Sequence, residues 1–359
     1  MTRALPHIER MSPYALADMT APEGIDLVSL SQNESLRGPS PKAVAAATAS
    51  LAHGGHYPDP DWSDLRRALA DLHDIPAQGI LCGNGSLDLI ACIARAFAGP
   101  DHAVLTPAHA YPFFRTAAQM ANARLDTAPE TRCRVDVDAL LAAVRADTAL
   151  VCVANPANPT GTRIPKSELQ RLRAGLRDDI LLVIDEAYGE FADHLREVCW
   201  DMAGSNCVVL RTFSKAYSMA GFRVGWGLFP DQIAGQLRKV MNPNNLTVAS
   251  QVAARAALLD QAYMRQTCAT TSSLRDLASR ALRNAGFDVL DSVTNFLLIR
   301  FEDDNAATRA DAALRATGIF LRRQQGAGLP HAMRMTIGPE PATRKAIDHL
   351  VRWKMETRT

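Results

Sequence analysis

Residues 210–226, LRTFSKAYSMAGFRVGW, place a small group of polar side chains between two apolar segments. The apolar run CVVL that leads into them is typical of a buried strand. Directly after it come two hydroxyl side chains, Thr212 and Ser214, and two cations, Lys215 and Arg223. In an open α/β sheet, ligands bind outside the carboxyl ends of the strands. These four side chains therefore form a candidate ligand site at the end of a strand.

On both sides of this stretch, short apolar runs alternate with helical patterns, which predicts a mostly parallel sheet covered by helices and hence an α/β fold class. The runs are apolar throughout, as expected of strands that are buried on both faces. The predicted strands are Ile80–Cys82, Ala103–Thr106, Leu150–Val153, Ile180–Ile184, Val208–Leu210 and Gly225–Phe229, with helices at Ser86–Ala98 and Pro165–Leu176.

The pattern changes after about residue 245, where a long helical tract over 247–284 leads into a smaller α+β unit. Its predicted strands are Asn295–Phe301, Ile319–Arg322 and Met333–Ile337, and its predicted helices are Ala306–Ala316 and Pro341–Met355. The first 35 residues show little periodicity. We therefore predict an N-terminal arm over 1–35, a large domain over 36–246 and a small C-terminal domain over 247–359, joined by the helical tract.

The composition is that of an ordinary globular protein, with 47% hydrophobic residues, 21% charged residues and a net charge of +1. This balance argues against binding to nucleic acid or to a membrane surface, which requires a basic patch. No apolar run reaches the roughly 18 residues of a membrane helix, and the first residues lack the apolar core of a signal peptide. The seven cysteines are scattered without a CxxC pair, which indicates reduced thiols in a cytoplasmic protein.

Other predicted strand ends also carry polar residues. The turn Gly83–Ser86 opens a helix whose free N–H groups could hold a phosphate, although a glycine turn can also be purely structural. The segment Asn155–Gly161, NPANPTG, is either a proline-stiffened turn or a loop that presents Asn158 to a ligand. Asp185 follows the apolar run ILLVI, where a carboxylate either meets a cation or caps a helix. Taken singly, each position leaves both interpretations open.

The combination is more specific than its parts. Successive strand ends present Asn158, then Asp185 with Tyr188, then Lys215 with Arg223, all downstream of a phosphate-type turn. In this order the chain resembles the fold-type I pyridoxal 5′-phosphate-dependent aminotransferases along nearly its whole length, and most closely the histidinol-phosphate aminotransferases. The resemblance implies the fold of the fold-type I transferases, a large domain that binds the cofactor, and a homodimer with shared active sites.

Pyridoxal 5′-phosphate is the cofactor that this resemblance implies, and Lys215, Asp185 and Tyr188 are the implied catalytic residues. Lys215 would form a Schiff base with the cofactor aldehyde and carry the proton between the substrate α-carbon and C4′. Asp185 would keep the pyridine nitrogen protonated, while Tyr188 and Asn158 would hydrogen-bond the 3′-oxygen and Tyr111 would stack on the ring. The implied contacts of the cofactor phosphate are Gly85, Ser86, Leu87, Thr212, Ser214, Arg223 and the partner subunit's Tyr57.

The lysine itself needs a special environment. A free lysine has a pKa near 10.4 and is a poor nucleophile at neutral pH. In a dry pocket beside Arg223, desolvation and like charge would both disfavour the ammonium form of Lys215. We therefore predict a lowered pKa for this residue, in keeping with a cofactor anchor.

Substrate binding is implied at Arg334 and Arg322, which match two anion-binding arginines of the histidinol-phosphate enzymes. It is also implied at Tyr14, an arm tyrosine, and at Asn158 and Tyr57. Two arginines and a tyrosine around one dianion suit a phosphate ester. The implied reaction is a ping-pong transfer of the amine of histidinol phosphate to 2-oxoglutarate, which gives imidazole acetol phosphate and glutamate in histidine biosynthesis. As alternatives, Arg322 could be a surface residue at a strand end, and Tyr14 an arm residue packed on the core.

Some positions depart from the family pattern. Leu87 stands where the phosphate turn commonly has an acidic residue, and Asn244 replaces a substrate-lining tyrosine. The arm motif of the family, Asn-Glu-Asn-Pro, is Asn33-Glu34-Ser35-Leu36 in this chain. These changes leave the cofactor chemistry intact but weaken the assignment of the substrate. The rival enzymes are an aminotransferase for aromatic or other amino acids and a threonine-phosphate decarboxylase.

A function of a different class would be a silent cofactor-binding module, such as the effector domain of a transcription regulator. That role needs a DNA-binding domain, and residues 1–35 are too short to form one and carry no basic helix. His53 and His56 flank two glycines, but no cysteine or further histidine lies nearby in the sequence. We therefore predict an enzyme without a metal site, acting on small molecules.

Overall fold

A computed structural model describes residues 2–13, 20–195, 197–204 and 206–357. The strands are β1 (Val28–Ser29), β2 (Ile80–Gly83), β3 (Ala103–Pro107), β4 (Arg124–Ala128), β5 (Thr148–Ala154), β6 (Leu181–Asp185), β7 (Cys207–Thr212), β8 (Gly225–Leu228), β9 (Asp288–Val289), β10 (Phe296–Arg300), β11 (Ile319–Phe320), β12 (Arg322–Gln324) and β13 (Leu329–Thr336). The α-helices are α1 (Pro6–Glu9), α2 (Pro41–Ser50), α3 (Ser63–His73), α4 (Ser86–Phe97), α5 (Pro112–Met120), α6 (Val137–Ala142), α7 (Lys166–Gly175), α8 (Gly189–Ala192), α9 (Asp231–Val240), α10 (Val248–Leu259), α11 (Gln261–Asn284), α12 (Asp304–Arg315) and α13 (Glu340–Glu356).

A seven-stranded sheet in the order β2-β8-β7-β6-β5-β3-β4 forms the centre of the fold. Only β8 runs against its neighbours, and the other strands of this sheet point the same way. The strands in the middle of the sheet are buried along their whole length, because helices cover both faces. The register pairs Asp185 with Ala154 on β5 and with Leu210 on β7. The ends of β5, β6 and β7 therefore meet at one edge of the sheet.

Close packing joins β8 to the start of α4. A Cβ atom on Gly225 would lie 2.1 Å from the backbone nitrogen of Ser86. Only glycine can occupy a position that another backbone approaches so closely. This contact brings the residues that precede β8, including Arg223, against the turn between β2 and α4.

A second, antiparallel sheet in the order β12-β13-β10-β9 lies in the C-terminal part. It shares a separate apolar core with α11, α12 and α13. Strand β1 of the N-terminal region pairs in parallel with β11, with Val28 opposite Ile319. Leu30, just after β1, lies in the same core, so this part of the N-terminal segment is built into the C-terminal sheet region.

The strands and helices predicted from the sequence are present, except for one strand. The single strand predicted over Ile319–Arg322 is wrong, because the chain divides there between β11, which pairs with β1, and β12, which pairs with β13. Strands β1, β4 and β9 were not predicted, because β1 and β9 have two residues each and the sequence of β4, RLDTA, is not an apolar run. The mostly parallel central sheet and the separate C-terminal unit that the sequence predicted are both present.

The helical tract over 247–284 consists of α10 and α11, which meet at Asp260. Helix α10 packs against α2 and α3 in the core of the large sheet, whereas α11 extends into the C-terminal core. The division into an arm, a large domain and a small domain stays a prediction.

Candidate active site

The turn between β2 and α4 forms one wall of the site. Gly85 has a φ of 84°, in the region that favours glycine. A Cβ atom at Gly85 would lie 2.5 Å from Nη2 of Arg223, so this guanidinium packs directly against the turn. Within the described part of the chain, the backbone N–H groups of Ser86 and Leu87 donate to no acceptor. Free N–H groups, the positive end of the helix dipole and an arginine together make an anion site.

Hydroxyl groups at the end of β7 and in the loop after it lie beside this arginine. Thr212 Oγ1 donates to Ser214 Oγ at 3.0 Å, and Val224 O lies 3.2 Å from the same Thr212 oxygen. Arg223 Nη1 donates to Ser214 Oγ at 3.3 Å and to Ala220 O at 3.0 Å. The structure thus brings together the hydroxyls, the arginine and the helix N-terminus to which the resemblance assigned a phosphate.

Lys215 lies just beyond β7 and is partly buried. Its Nζ donates to the carbonyl oxygen of Asn33 at 2.9 Å and lies 3.5 Å from the carbonyl oxygen of Gln32. The same nitrogen is 5.8 Å from the centre of the Tyr188 ring. Uncharged carbonyl groups, rather than a carboxylate, therefore receive the lysine in this structure.

The surroundings of Lys215 lower its pKa from 10.5 to about 7. Desolvation by burial has the largest effect, followed by the positive charges of Arg334 and Arg223. The negative charges of Glu34 and Asp185 act in the opposite direction and only partly offset it. A substantial fraction of the amine is then neutral and nucleophilic at neutral pH, as the sequence predicted.

Asp185 is buried, with 3% of its surface exposed, at the end of β6. The pKa of its carboxyl is raised to about 7, mainly by burial and to a smaller extent by the negative charge of Glu186. Hydrogen bonding to the N–H of Ala187, at 3.0 Å, and the charge of Lys215 lower it. A buried carboxylate with so little compensation would be stabilised by a cationic N–H group on a ligand.

Arg334 on β13 reaches the end of β5. Its Nη1 donates to Asn158 Oδ1 and its Nη2 to the carbonyl oxygen of Ser31, both at 2.7 Å. On the adjacent strand, Arg322 stands directly opposite Arg334 in the register. Side chains at directly opposed positions project from the same face of a sheet. The two arginines to which a substrate role was assigned therefore lie on one face of the C-terminal sheet, and Arg334 contacts Asn158.

Tyr188 lies at the start of α8 and is buried. Its hydroxyl accepts a hydrogen bond from Asn33 Nδ2 at 2.7 Å, and its ring packs edge-to-face on Phe296 at 5.2 Å between centres. Sequence reasoning gave Asn33 no role beyond its place in an arm motif. Because its partners are far away in the sequence, only the pattern Asn33-Glu34 in the arm pointed to it.

The remaining predicted residues have different positions. Tyr111 begins α5, where its ring packs edge-to-face on Phe114 at 5.9 Å between centres. Tyr57 is 88% exposed. The prediction for Tyr14 falls outside the described residues. The roles of these residues stay predictions.

Pyridoxal 5′-phosphate fits this donor set by its charges. Its phosphate has a counterpart in the anion site of Arg223 and the N-terminus of α4. The pyridine nitrogen, once protonated, has a counterpart in the buried carboxyl of Asp185, and the aldehyde in the neutral amine of Lys215. Three chemically different parts of one small molecule are thus matched by three groups of residues around one edge of the sheet.

The lowered pKa of Lys215 predicts a distinctive pH dependence for its chemical modification. Only the neutral amine attacks aldehydes, so reductive methylation of Lys215 in cofactor-free protein should rise with pH and level off above about pH 7. Peptide mass spectrometry can follow it beside Lys42, whose side chain is 70% exposed. Replacing Arg334 with methionine removes a like charge and should move the midpoint upward. A midpoint near the ordinary value of 10.5 would contradict this environment.

The chain is similar to known aminotransferases in both sequence and structure. Residues 25–350 match the family "Aminotransferase class I and II". The chain is 42% identical over 339 residues to a histidinol-phosphate aminotransferase of Paramagnetospirillum magneticum, with 93% of each chain covered. It is 40% identical to that of Erythrobacter litoralis, with 92% of each covered. The structure of a histidinol-phosphate aminotransferase of Sinorhizobium meliloti in complex with pyridoxal 5′-phosphate superimposes with a TM-score of 0.92, at 29% identity and 99% coverage of each chain.

The helices that the structure describes include none with the length and apolar character needed to cross a membrane.

Proposed function

This chain belongs to the class I and II aminotransferases, and from that premise we propose that it transfers the amino group of histidinol phosphate to 2-oxoglutarate with the help of pyridoxal 5′-phosphate. The products are imidazole acetol phosphate and glutamate, and the reaction is a step of histidine biosynthesis. Relatives that carry the name of this activity match along nearly the full length of the chain.

When bound, pyridoxal 5′-phosphate supplies an aldehyde that takes up the amino group and a ring that accepts the electron pair left on the substrate's α-carbon. Lys215 anchors the cofactor through its neutral amine and, once released, carries a proton to and from the α-carbon. The carboxylate of Asp185 would accept a hydrogen bond from the protonated ring nitrogen and keep it protonated, because the ring then neutralises the buried negative charge. Arg223, Thr212 and Ser214 fix the phosphate, so that the reacting end is held beside the lysine.

The arginine pair of the C-terminal sheet supports a phosphorylated substrate. Arg334 is oriented by Asn158 and by the carbonyl of Ser31, and Arg322 stands opposite it across β12 and β13. Guanidinium groups bind phosphate and carboxylate oxygens with paired hydrogen bonds. Such a pair can take a phosphate dianion from the amino donor and a carboxylate from 2-oxoglutarate in alternate half-reactions. The position of Arg322 opposite Arg334 is the observation that supports histidinol phosphate as the substrate.

The direct test is a half-reaction without any keto acid. The cofactor-loaded protein is mixed in turn with histidinol phosphate, phenylalanine and threonine phosphate, and the change in cofactor absorbance and the products are followed. We expect histidinol phosphate to convert the cofactor to pyridoxamine phosphate at the lowest concentration. A faster reaction with phenylalanine would assign the chain to aromatic amino acids. Loss of CO₂ from threonine phosphate would assign it to a decarboxylase.

Replacing Arg322 with alanine should separate phosphorylated from plain donors. Loss of charge-assisted hydrogen bonds to a phosphate should lower kcat/KM for histidinol phosphate about 10- to 100-fold, with a much smaller change for phenylalanine. The matched control is Arg323→Ala, because Arg323 projects from the other face of the sheet, where it binds Thr308 and Asp304 of α12. An equal loss for both donors in Arg322→Ala would contradict the phosphate role.

We further propose that the enzyme acts as a cytoplasmic homodimer in which Tyr57 reaches the cofactor phosphate of the partner subunit. Its exposure of 88% supports this role, since a large aromatic side chain of this kind is available to a second chain.

Mixed dimers test that arrangement. Subunits with Tyr57→Phe are combined with subunits with Lys215→Ala, each of which is impaired by itself. If Tyr57 serves the neighbouring site, every hybrid dimer contains one native site and regains up to half of the native activity. Mixing should be done after reversible unfolding, with Lys42→Ala in place of Tyr57→Phe as the positive control. No recovery with Tyr57→Phe, while Lys42→Ala recovers, would contradict sharing across the interface.

A further inference from the structure

The N-terminal segment enters the active site at Asn33, a residue that neither the cofactor nor the substrate assignments include. Asn33 is 1% exposed and adopts a left-handed backbone with a φ of 54°. Asparagine tolerates this conformation better than most residues. The segment is anchored on both sides of Asn33. Before it, β1 pairs with β11 of the C-terminal region, and after it, Ser35 Oγ hydrogen-bonds Ser218 Oγ at 2.7 Å. Asn33 is therefore held firmly between the two parts of the structure.

The hydrogen bonds around Asn33 have a defined direction. The backbone N–H of Asn33 donates to Thr336 Oγ1 at 2.9 Å. The Thr336 hydroxyl then donates its own hydrogen to Asn33 Oδ1, at 3.3 Å. Because the oxygen of the amide faces Thr336, the nitrogen must face Tyr188. An amide nitrogen can only donate, so the Tyr188 oxygen accepts this bond, at 2.7 Å.

This direction has a consequence for Tyr188. A phenol that accepts from Asn33 keeps its own hydrogen for a different acceptor. A phenol oxygen that already accepts a hydrogen bond is also a stronger donor, because hydrogen bonds in a chain polarise one another. Asn33 therefore both orients and strengthens the donor group of Tyr188.

The main-chain carbonyl group of Asn33 contacts Lys215. Its carbonyl oxygen accepts from Lys215 Nζ at 2.9 Å and from Asn295 Nδ2 at 3.2 Å. Asn295 also donates to the carbonyl of Glu34 at 3.1 Å, so that it holds the carbonyl groups of two consecutive residues in place. A single residue of the N-terminal segment thus contacts both Lys215 and Tyr188.

We propose that Asn33 is a positioning residue of the active site, which makes Tyr188 a donor toward the cofactor's 3′-oxygen and holds the amine of Lys215 whenever that amine is free. This inference rests on the proposed function, because it concerns the same cofactor. It adds a residue of the N-terminal segment to the groups that set the protonation of the cofactor.

The test is the pH midpoint at which the visible absorbance of the bound cofactor changes. Asn33→Gly keeps the left-handed backbone and the carbonyl that receives Lys215, and removes only the amide. A weaker donor at Tyr188 leaves more negative charge on the cofactor's 3′-oxygen. The midpoint should therefore rise, by about half a pH unit to one unit for the loss of one hydrogen bond. Asn33→Asp has a similar shape but presents an acceptor to Tyr188, which reverses the bond, so its midpoint should rise further.

A double-mutant cycle with Tyr188→Phe separates positioning from general loosening of the structure. If Asn33 acts through Tyr188, Asn33→Gly shifts the midpoint in the native background and adds nothing in the Tyr188→Phe background. Ser35→Ala, which loosens the same segment without touching Asn33, should leave the midpoint unchanged. If Asn33→Gly fails to fold, Asn33→Asp provides the same cycle.

Two outcomes would overturn the inference: an unchanged midpoint in both Asn33 variants, or a shift that is equally large with Tyr188→Phe. The midpoint depends on the bound cofactor and not on the amino donor. A native protein that shows no cofactor absorbance at all would therefore refute the proposed function, whereas absorbance that ignores Asn33 would refute this inference alone.

Discussion

Replacing Lys215 with alanine should abolish transamination and remove the visible absorbance of cofactor bound through this side chain. The variant would lose both the proposed anchor of the cofactor and the group proposed to carry the proton at the α-carbon. The second role alone is worth about 10²–10⁴-fold in rate, so the combined loss should bring activity below detection. The phosphate site of Arg223 and the helix N-terminus is untouched, and the variant should still bind pyridoxal 5′-phosphate, although without a covalent link.

Three measurements check this expectation: the absorbance spectrum, the half-reaction with histidinol phosphate, and retention of cofactor after dialysis. Lys42→Ala is the control, since Lys42 is a surface lysine paired with Asp260. The control should match the native protein in all three. A Lys215→Ala protein that keeps the visible absorbance would show that another lysine holds the cofactor.

The parts of the site that lie at strand ends could be predicted from the sequence. Each of them is a polar residue directly after a run of buried apolar residues, as Asp185 is after ILLVI. Parallel strands bring such ends to one edge of the sheet, so local patterns were sufficient to place Asp185 near Lys215. The lowered pKa of Lys215 followed from the same reasoning, because desolvation and a nearby arginine were both expected.

Contacts between distant segments could not be predicted in this way. The bond from Lys215 to Asn33 joins residues 182 positions apart, and nothing in the local sequence of either residue indicates the other. The division of Ile319–Arg322 into β11 and β12 has the same cause, since β11 pairs with a strand near the N-terminus. A run of apolar residues shows that a strand is buried but does not show which strand it pairs with.

The buried ion pairs of Arg211 were also not predicted from the sequence. It continues β7 directly after Leu210, and its side chain is 2% exposed. Its Nη2 lies 3.0 Å from Glu186 and 2.8 Å from Asp193, and its Nη1 lies 3.5 Å from Glu190. The predicted strand stopped at Leu210 because a buried arginine is rare without partners, and its carboxylate partners lie 18 to 25 residues away.

The buried cluster of Arg211, Glu186, Glu190 and Asp193 lies next to the strand ends that form the candidate site. Glu186 follows Asp185 on β6, and Arg211 precedes Thr212 on β7. The ion pair between Glu186 and Arg211 therefore joins the two strand ends that carry the proposed cofactor contacts. Because the side chains of Glu186 and Glu190 are 5% and 3% exposed, water cannot replace the arginine as their partner.

Replacing Arg211 with methionine should destabilise the protein by about 3–5 kcal/mol, the usual cost of removing one member of a buried ion pair. The carboxylates of Glu186 and Glu190 would be left in the interior without a counter-charge. Denaturant unfolding, followed by fluorescence, measures the loss in the free energy of unfolding. The control is Arg171→Met, since Arg171 forms comparable ion pairs with Glu168 and Asp138 on the surface. Its effect should be far smaller, because exposed pairs are screened by water and salt.

The pH dependence of the loss gives a sharper criterion. Burial raises the pKa of Glu186, and it raises the pKa of Glu190 from 4.5 to about 7. A carboxyl whose pKa is raised by folding is tolerated while it is protonated, and it destabilises the protein as the pH rises through the folded-state pKa. Without Arg211 both values rise further, so Arg211→Met should lose less stability at about pH 5.5 than at about pH 8. Adding Glu186→Gln and Glu190→Gln should recover much of the loss at the higher pH. A loss that matches Arg171→Met, or that does not vary with pH, would mean that Arg211 does not neutralise these carboxylates.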